Sequence, residues 1–388
     1  MSNLQKGIER EIDLFTEAIL SDGGSIPEVS AAAFCKARKK LKYTAFEELS
    51  ELVADSYYEE GADVVRYWKG KRVLGIDGSN IEMPWSESIE KRFGVFKERL
   101  DGKKVCMSRS LLVYDTLNHI TLYGALGDMQ ESETSMLWDC IDKLPLYTND
   151  ILVFDRNYAS HLLMFYLKQM GVSFCFRMKK EAWKQVRHFY NDGQHSTVIT
   201  LEMPAYDKKT ASDWGITLQK IKCRLIRIEL DNGETEILLT DLLDKQQYSN
   251  KDMKELYNYR WSIEELYKTF KHKVCIENFS GKSLQAVLQD FYIKIFIMNL
   301  TAVAIQPINE ALKKQPVKVK YKHQASIIGA ISRLKKAVVS FFLTNNIGKA
   351  VSKLLEDIAK RTLPIRPGRK RMRHAQPKRR YHMNYKPT

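Results

Sequence analysis

Between residues 250 and 275 the apolar positions Leu256, Ile263, Leu266, Phe270 and Val274 recur at helical spacing. A period of this kind gives a helix one buried side, and it predicts a single continuous helix here. On the neighbouring side Tyr257, Arg260, Glu264 and Lys271 stand at offsets 0, 3, 7 and 14. At about 100° per residue these four fall within roughly 60° of one another, with Lys268 on the same stripe. The segment is expected to anchor in a core while presenting one carboxylate among groups that bind phosphate.

Elsewhere the pattern separates helical from extended stretches. Residues 1–65 read as helical. Thr44-Ala45-Phe46-Glu47 has the form of a capping box opening the helix AFEELSELV. Before it, Ser30 opens a short helix that ends in Lys36, Arg38, Lys39 and Lys40. Those cations suit docking on DNA, and equally a solvated helix C-terminus, where the dipole favours positive charge. From about residue 70 short apolar runs take over. Arg72 to Ile76 leads into Asp77-Gly78-Ser79, a strand meeting a turn. Residues 110–118 and 120–129 predict a hairpin, and 132–144 a helix. Asp150 to Phe154 is a buried-type strand ending at Asp155. A helix over 161–171 is closed by Gly171, and 172–178 is a further strand. The order β-β-β-α-β-α-β predicts an α/β fold with a mixed sheet and helices on its faces. Residues 180–246 read as a β-rich insertion with a hairpin turn at Asp231-Asn232-Gly233. A largely buried helix covers Gln289 to Leu312, residues 323–360 are helical, and no internal repeat is visible. The tail after Leu363-Pro364 is expected to be extended or disordered when unbound.

This divides the 388 residues into a helical N-terminal region (1–68), the first part of a core (69–180), a β-rich insertion (181–246), the second part of the core (247–310) and a helical C-terminal region with a basic tail (311–388). At 44% hydrophobic and 28% charged the composition is that of an ordinary globular protein. The net charge of +15 is less ordinary, because residues 361–388 hold ten Lys/Arg and no acidic residue, leaving about +5 for the rest. A basic tail on a nearly balanced body fits polyanion binding, nucleic acid above all. The six cysteines lie far apart with no C-x-x-C pair, which predicts reduced core thiols and argues against a zinc site. The charged N-terminus is unlike a signal peptide. Phe291 to Ile305, interrupted by Lys294 and Asn299, reads as too short to span a bilayer. A cytoplasmic protein without a membrane partner is expected.

Two carboxylates stand where hydrophobic strands end, Asp77 and Asp155. In an open α/β sheet ligands collect at strand C-termini, so the two can converge, and Glu264 from a packed helix would complete an oxygen set for Mg²⁺. Two such ions could activate a water or a 3′-hydroxyl and stabilise the leaving oxygen of a phosphoryl displacement. The plainer readings compete. Asp before Gly or Asn is a routine turn residue, Asp115 and Asp150 hold comparable sheet-end positions, and Glu264 is also an i, i+4 partner of Arg260 and Lys268. The ordered set Asp77, Asp155 and Glu264 is a stronger signal than any one member.

The pattern Y-x2-R-x3-E-x6-K, met by Tyr257, Arg260, Glu264 and Lys271, resembles the signature of the IS4-type DDE transposases, including Tn5-like members. The resemblance extends to Ile76-Asp77-Gly78-Ser79, to Phe154-Asp155-Arg156-Asn157-Tyr158, to Phe34 through Leu41 and to Arg366-Pro367-Gly368-Arg369, so it covers nearly the whole chain. Asn157 departs from the Gly common at that place in the family. The resemblance implies an RNase H-like mixed-sheet core with an inserted β-rich subdomain, flanked by helical N- and C-terminal regions. It makes Asp77, Asp155 and Glu264 the catalytic, metal-binding triad for Mg²⁺ or Mn²⁺, as two ions. It assigns Tyr257, Arg260 and Lys271 to phosphates of the transposon end, Arg260 through a bidentate fork and Lys271 as a point charge. Lys268 is a further DNA-binding candidate without a set role. Family members cut element ends with metal-activated water, some through a DNA hairpin, before strand transfer into target DNA. Base flipping can accompany the hairpin, with Trp261, Trp183 or Trp214 as the aromatic. The expected partners are double-stranded DNA, as terminal inverted repeats and target, and a second copy of the chain in a synaptic dimer at the bacterial nucleoid. A DNA-binding regulator that does not cut and a structure-selective nuclease on the same fold remain as alternatives.

Overall fold

Runs of consecutive buried residues build long strands over Arg72–Met83 and Lys104–Asp115, and the apolar run Ile151–Phe154 builds a short one, Asp150–Phe154, buried on both faces. The computed structural model describes residues 8–366 apart from 22, 62, 99, 101, 231, 232 and 315–320. In chain order it contains helices α1 (Ile8–Ser21), α2 (Ala31–Arg38) and α3 (Thr44–Glu60), strand β1 (Arg72–Met83), α4 (Glu87–Phe93), and strands β2 (Lys97–Glu98), β3 (Lys104–Asp115) and β4 (Ile120–Asp128). Next come α5 (Glu133–Trp138), β5 (Asp150–Phe154), α6 (His161–Gln169), β6 (Ser173–Met178) and α7 (Lys184–Asn191). β7 (Ser196–Glu202), α8 (Lys208–Asp213), β8 (Lys220–Glu229) and β9 (Thr235–Thr240) precede α9 (Asn250–Tyr259) and α10 (Trp261–His272). The chain continues through α11 (Leu284–Lys314), β10 (His323–Ala325), α12 (Ile327–Leu343), α13 (Ile347–Ala359) and β11 (Thr362–Pro364).

Two compact units result. One comprises residues 66–79 and 109–267, and the other residues 1–65, 80–108 and 268–388. The first is a mixed α/β unit. Its sheet runs β3-β1-β5-β6-β9-β8-β7, with β4 on β3. β1, β5 and β6 are parallel, and β9, β8 and β7 follow antiparallel. The β-rich stretch read as an insertion thus continues the same sheet from the edge of β6. Its core gathers Val73, Ile151, Val153, Cys175, Ile226, Leu238, Met253 and Leu256. The predicted hairpin forms as β3 and β4. Gly171 ends α6 in the left-handed region (φ 72), as its position after the helix requires.

The second unit is largely helical. Helix α11 packs on α3, and Ile305, Ile308, Ala330, Leu354 and Ile358 join it to α12 and α13. Arg38 in α2 bonds Gln289 Oε1 (2.6 Å), Asp290 Oδ1 (2.9 Å), the Ala286 carbonyl and Ser280. This cation therefore ties α2 to α11, while Lys36, Lys39 and Lys40 stay exposed.

Several expectations are corrected. Thr44 lies inside α3 rather than capping it, and Tyr43 occupies the N-cap without a side-chain bond. Strand β1 runs on to Met83, so Asp77 sits within it, not at its end. The helix over 250–275 is two helices. Arg260 N–H bonds the Tyr257 carbonyl and Ile263 N–H bonds the Arg260 carbonyl, three-residue spacings that tighten the backbone between α9 and α10. Among the described residues α11, with 31 residues, is long and apolar enough to cross a membrane, contrary to the length read from sequence. Its buried polar residues are nonetheless bonded within the unit. Lys294 reaches the carbonyls of Cys275 and Asn278, and Asn299 reaches Ser50. Asp231, Asn232 and the tail from Pro367 lie outside the described residues.

Candidate active site

Strands β1 and β5 pair in parallel from Arg72↔Asp150 to Gly75↔Val153. Carried two residues further, that register sets Asp77 level with Asp155, which follows the last residue of β5. Helix α10 lies close over β1. A Cβ added at Gly75 would stand 3.6 Å from Ile263 of α10, an ordinary packing distance, and 3.2 Å from Thr116, the tight contact. The buried Tyr267 donates its hydroxyl to the Asp77 carbonyl (3.1 Å), and it stands one helical turn from Glu264. This bond ties α10 to the β1 backbone beside Asp77.

The electrostatics follow from that placement. Burial first, then the neighbouring Glu133 and more weakly Glu264, raise the Asp77 carboxyl to about 7. Arg260 and the Gly78 N–H work the other way. Arg260 is 3% exposed, and Nη2 bonds Glu264 Oε1 at 2.9 Å. Burial disfavours its charge, but Tyr257, Glu264 and Asp155 outweigh that and hold the guanidinium above its ordinary value. Arg177 on β6 reaches Asp155 at 3.9 Å and Glu236 at 2.9 Å. Among the described residues, two buried donors of this cluster have no partner, the Tyr257 hydroxyl and Arg260 Nε. Unpaired buried groups of this kind are costly. Burial also raises the Tyr257 phenol.

The structure thus brings Asp77, Asp155, Glu264, Arg260 and Tyr257 into one electrostatic cluster. Among the described residues no three His, Cys, Asp or Glu side chains lie close enough to hold a metal ion by themselves. The donors are hard carboxylate oxygens, which suits Mg²⁺ or Mn²⁺ keeping water and substrate oxygens in its shell. Other candidates fall elsewhere. Asp115 accepts from Leu117 N, Asn118 N and Asn118 Nδ2 and shapes the β3–β4 turn. Asp150 is buried against Arg72, with two bonds of 2.8 Å. Trp261 is 48% exposed with the Arg260 guanidinium 4.6 Å from its ring. Trp214 packs against Trp138 and Trp183 against His161. Lys268 and Lys271 belong to the helical unit, where Lys268 is exposed and Lys271 donates to the Asn80 carbonyl at 2.7 Å.

Sequence reasoning missed Glu133, Tyr267 and Arg177, and named Tyr158 only as part of the resemblance. Glu133 opens α5 after the capping Ser132, where an acidic residue is an ordinary complement to the helix dipole, so nothing local singled it out. Tyr267 lay in the right helix, and its offset of three from Glu264 was the available signal.

Residues 68–300 match the family model described as Transposase DDE domain. The chain is 21% identical over 294 residues to the transposase InsG for insertion sequence element IS4 of Escherichia coli (strain K12), covering 75% of this chain and only 64% of that protein's length. Among solved structures, a piggyBac transposase synaptic complex with hairpin DNA aligns with a TM-score of 0.43 at 10% identity, over 93% of this chain and 78% of that one. The NurA nuclease from Sulfolobus solfataricus aligns with a TM-score of 0.25 at 10% identity, over 63% of this chain and 98% of that one. With the family model covering more than half its length, the chain belongs to the Transposase DDE domain family.

Proposed function

We propose that the protein is a DNA transposase of an insertion sequence, with an RNase H-like catalytic core, that cuts element ends and joins their 3′-hydroxyls to target DNA. One observation carries the reading: the parallel register of β1 and β5, carried past Gly75↔Val153, falls on Asp77 and on Asp155 just beyond β5, and Tyr267, one turn from Glu264 on α10, donates to the Asp77 carbonyl. Asp77, Asp155 and Glu264 would hold Mg²⁺ or Mn²⁺, as one or two ions. Bound there, the metal supplies Lewis-acid activation of the attacking oxygen and positive charge for the leaving one. In end cleavage a water oxygen adds to phosphorus and the P–O3′ bond breaks, leaving a 3′-hydroxyl and a 5′-phosphate.

The chain's own residues position the DNA. Arg260 Nε and the Tyr257 hydroxyl are buried donors without acceptors among the described residues, and both are assigned to phosphates of the bound end. Arg177 beside Asp155 adds a cation on the strand side. Trp261 offers an exposed ring next to Arg260 for stacking on a base, as a hairpin intermediate would require. Lys268, Lys271 and the basic tail are assigned to backbone phosphates. The helical N-terminal region is assigned to end recognition, and a dimer to synapsis of two ends.

The test is metal-dependent cleavage of DNA carrying the element's terminal repeats. Asp77→Ala, Asp155→Ala and Glu264→Ala are expected to abolish cleavage while leaving DNA binding intact. Full cleavage by any of the three overturns the assignment. Equal cleavage of DNA lacking the repeats, without strand transfer, identifies a structure-selective nuclease instead.

A further inference from the structure

We propose that Tyr267 is a positioning residue for Asp77, holding the Asp77–Gly78 peptide from α10 while Ser110 of β3 holds the Ser79 carbonyl. This rests on the transposase reading above, in which Asp77 holds metal. Residue 78 has to be small, because a Cβ there would overlap the Glu133 Cγ, Cδ and Oε1. Glycine leaves the peptides on either side of it freer to rotate than any other residue does. One of those peptides carries the Asp77 carbonyl at one end and the Gly78 N–H at the other. That N–H acts on the Asp77 carboxyl and favours its charged form. A turn of the peptide would swing the N–H away and change the rotamers open to Asp77. The backbone after Asp77 therefore needs to be held from outside the strand.

Two side-chain hydroxyls do this. Tyr267 Oη stands 3.1 Å from the Asp77 carbonyl and 3.3 Å from the Ser110 carbonyl. Ser110 Oγ lies 2.8 Å from the Ser79 carbonyl and 3.3 Å from Tyr267 Oη. Each hydroxyl has one proton to give, so the shorter contact of each is its donated bond. The two bonds grip β1 on both sides of Gly78. Because the Asp77–Gly78 peptide is planar, fixing its carbonyl end also fixes its N–H end. Tyr267 is 6% exposed and Ser110 fully buried, which keeps solvent from replacing either bond. Burial also raises the phenol well above its ordinary value, so it stays a donor. A phenylalanine would fill the same space in the core, and the hydroxyl is the part that reaches Asp77. Tyr267 stands one turn after Glu264, so the same bond holds α10 to the strand.

The experiment compares Tyr267→Phe, which keeps the ring and removes the hydroxyl, with the wild-type full chain. Single-turnover cleavage of DNA carrying the terminal repeats is followed over a range of protein concentrations, and DNA affinity by fluorescence anisotropy. Amide hydrogen exchange of the protein without DNA or metal is read by mass spectrometry. In Y267F the maximal cleavage rate constant is expected to fall by about tenfold or more. Half-saturation and DNA affinity should stay within about twofold of wild type. Exchange should quicken by about threefold or more in fragments of β1 containing Gly78, with β8, β9 and α11 unchanged. Ser110→Ala is expected to show the same pattern to a smaller extent. If Y267F does not fold, S110A decides, and a wild-type rate constant in it overturns the proposal. A wild-type rate constant in Y267F, with Asp77→Asn inactive, overturns the role of Tyr267 and leaves the transposase reading standing. Quicker exchange throughout the chain, with fewer active molecules at an unchanged rate constant, overturns it in favour of plain core packing. Wild-type cleavage by D77N overturns the transposase reading itself.

Discussion

At the scale of single residues, Asp77 shows how placement rewrites ordinary chemistry. Its carboxyl is raised from 3.8 to about 7 by burial and then by Glu133. Between those two values the folded chain holds a proton that the unfolded chain has released. Stability from this group is therefore full below 3.8 and is lost as pH rises through about 7. Asp77→Asn keeps the shape and removes the charge, so its metal-free stability should be flat over the same window. Chemical denaturation at pH 5 and pH 8 checks this, and the wild type should lose ~1–4 kcal/mol more than D77N between them. Asp77 and Asp155 could be picked out from their places after apolar runs, yet Asp115 and Asp150 looked alike on that ground. Only the fold separates them, because Asp150 closes on a buried arginine and Asp115 on the turn beside it. Glu133 could not be picked out at all, since its meaning comes from residues 55 and 25 positions away in the chain, Gly78 and Tyr158.

At the scale of elements, α2 and α11 divide what a basic helix can do. Arg38 is engaged by Gln289, Ser280 and Asp290, leaving Lys36, Lys39 and Lys40 exposed. Arg38→Ala is expected to destabilise the helical unit by ~1–3 kcal/mol, read from urea unfolding, because it strands Asp290 in a buried position. Replacing Lys36, Lys39 and Lys40 together by alanine should leave unfolding unchanged and lower DNA affinity, measured by fluorescence anisotropy. Lys294 works similarly inside α11, donating to carbonyls in the segment that follows α10. Lys294→Met leaves those carbonyls unsatisfied and is expected to cost ~1–3 kcal/mol in the same unfolding measurement. The break between α9 and α10 belongs to this scale as well. Helical spacing continues through Arg260 in the sequence, and the break shows only in the three-residue hydrogen bonds on either side of it.

At the scale of the whole molecule, charge distribution and sheet order matter most. Residues 367–388 contain eight Lys/Arg and no acidic residue. Deleting them should weaken DNA binding uniformly across sequences and flatten the dependence of log affinity on log salt, by about 0.9 for each phosphate that the tail had neutralised. A titration series from low to moderate salt measures both. Strands β9, β8 and β7 continue the sheet from β6, so the β-rich stretch is part of the sheet that carries Asp77 and Asp155.

By itself the sequence determined the local periodicities and the charge distribution. Those depend on neighbours within a few residues, so the strand at 150–154, the hairpin read over 110–129 and the apolar faces of α9 and α10 could be read directly, though β3 begins earlier, at Lys104. The ordered carboxylates and the Y-x2-R-x3-E-x6-K spacing were equally plain. Tertiary structure alone decided which acids meet. Parallel register sets Asp77 beside Asp155, a phenol from α10 brings Glu264 over β1, and a helix start places Glu133 against Gly78. Burial and charge repulsion act through space between segments distant in the chain, and no local pattern records them.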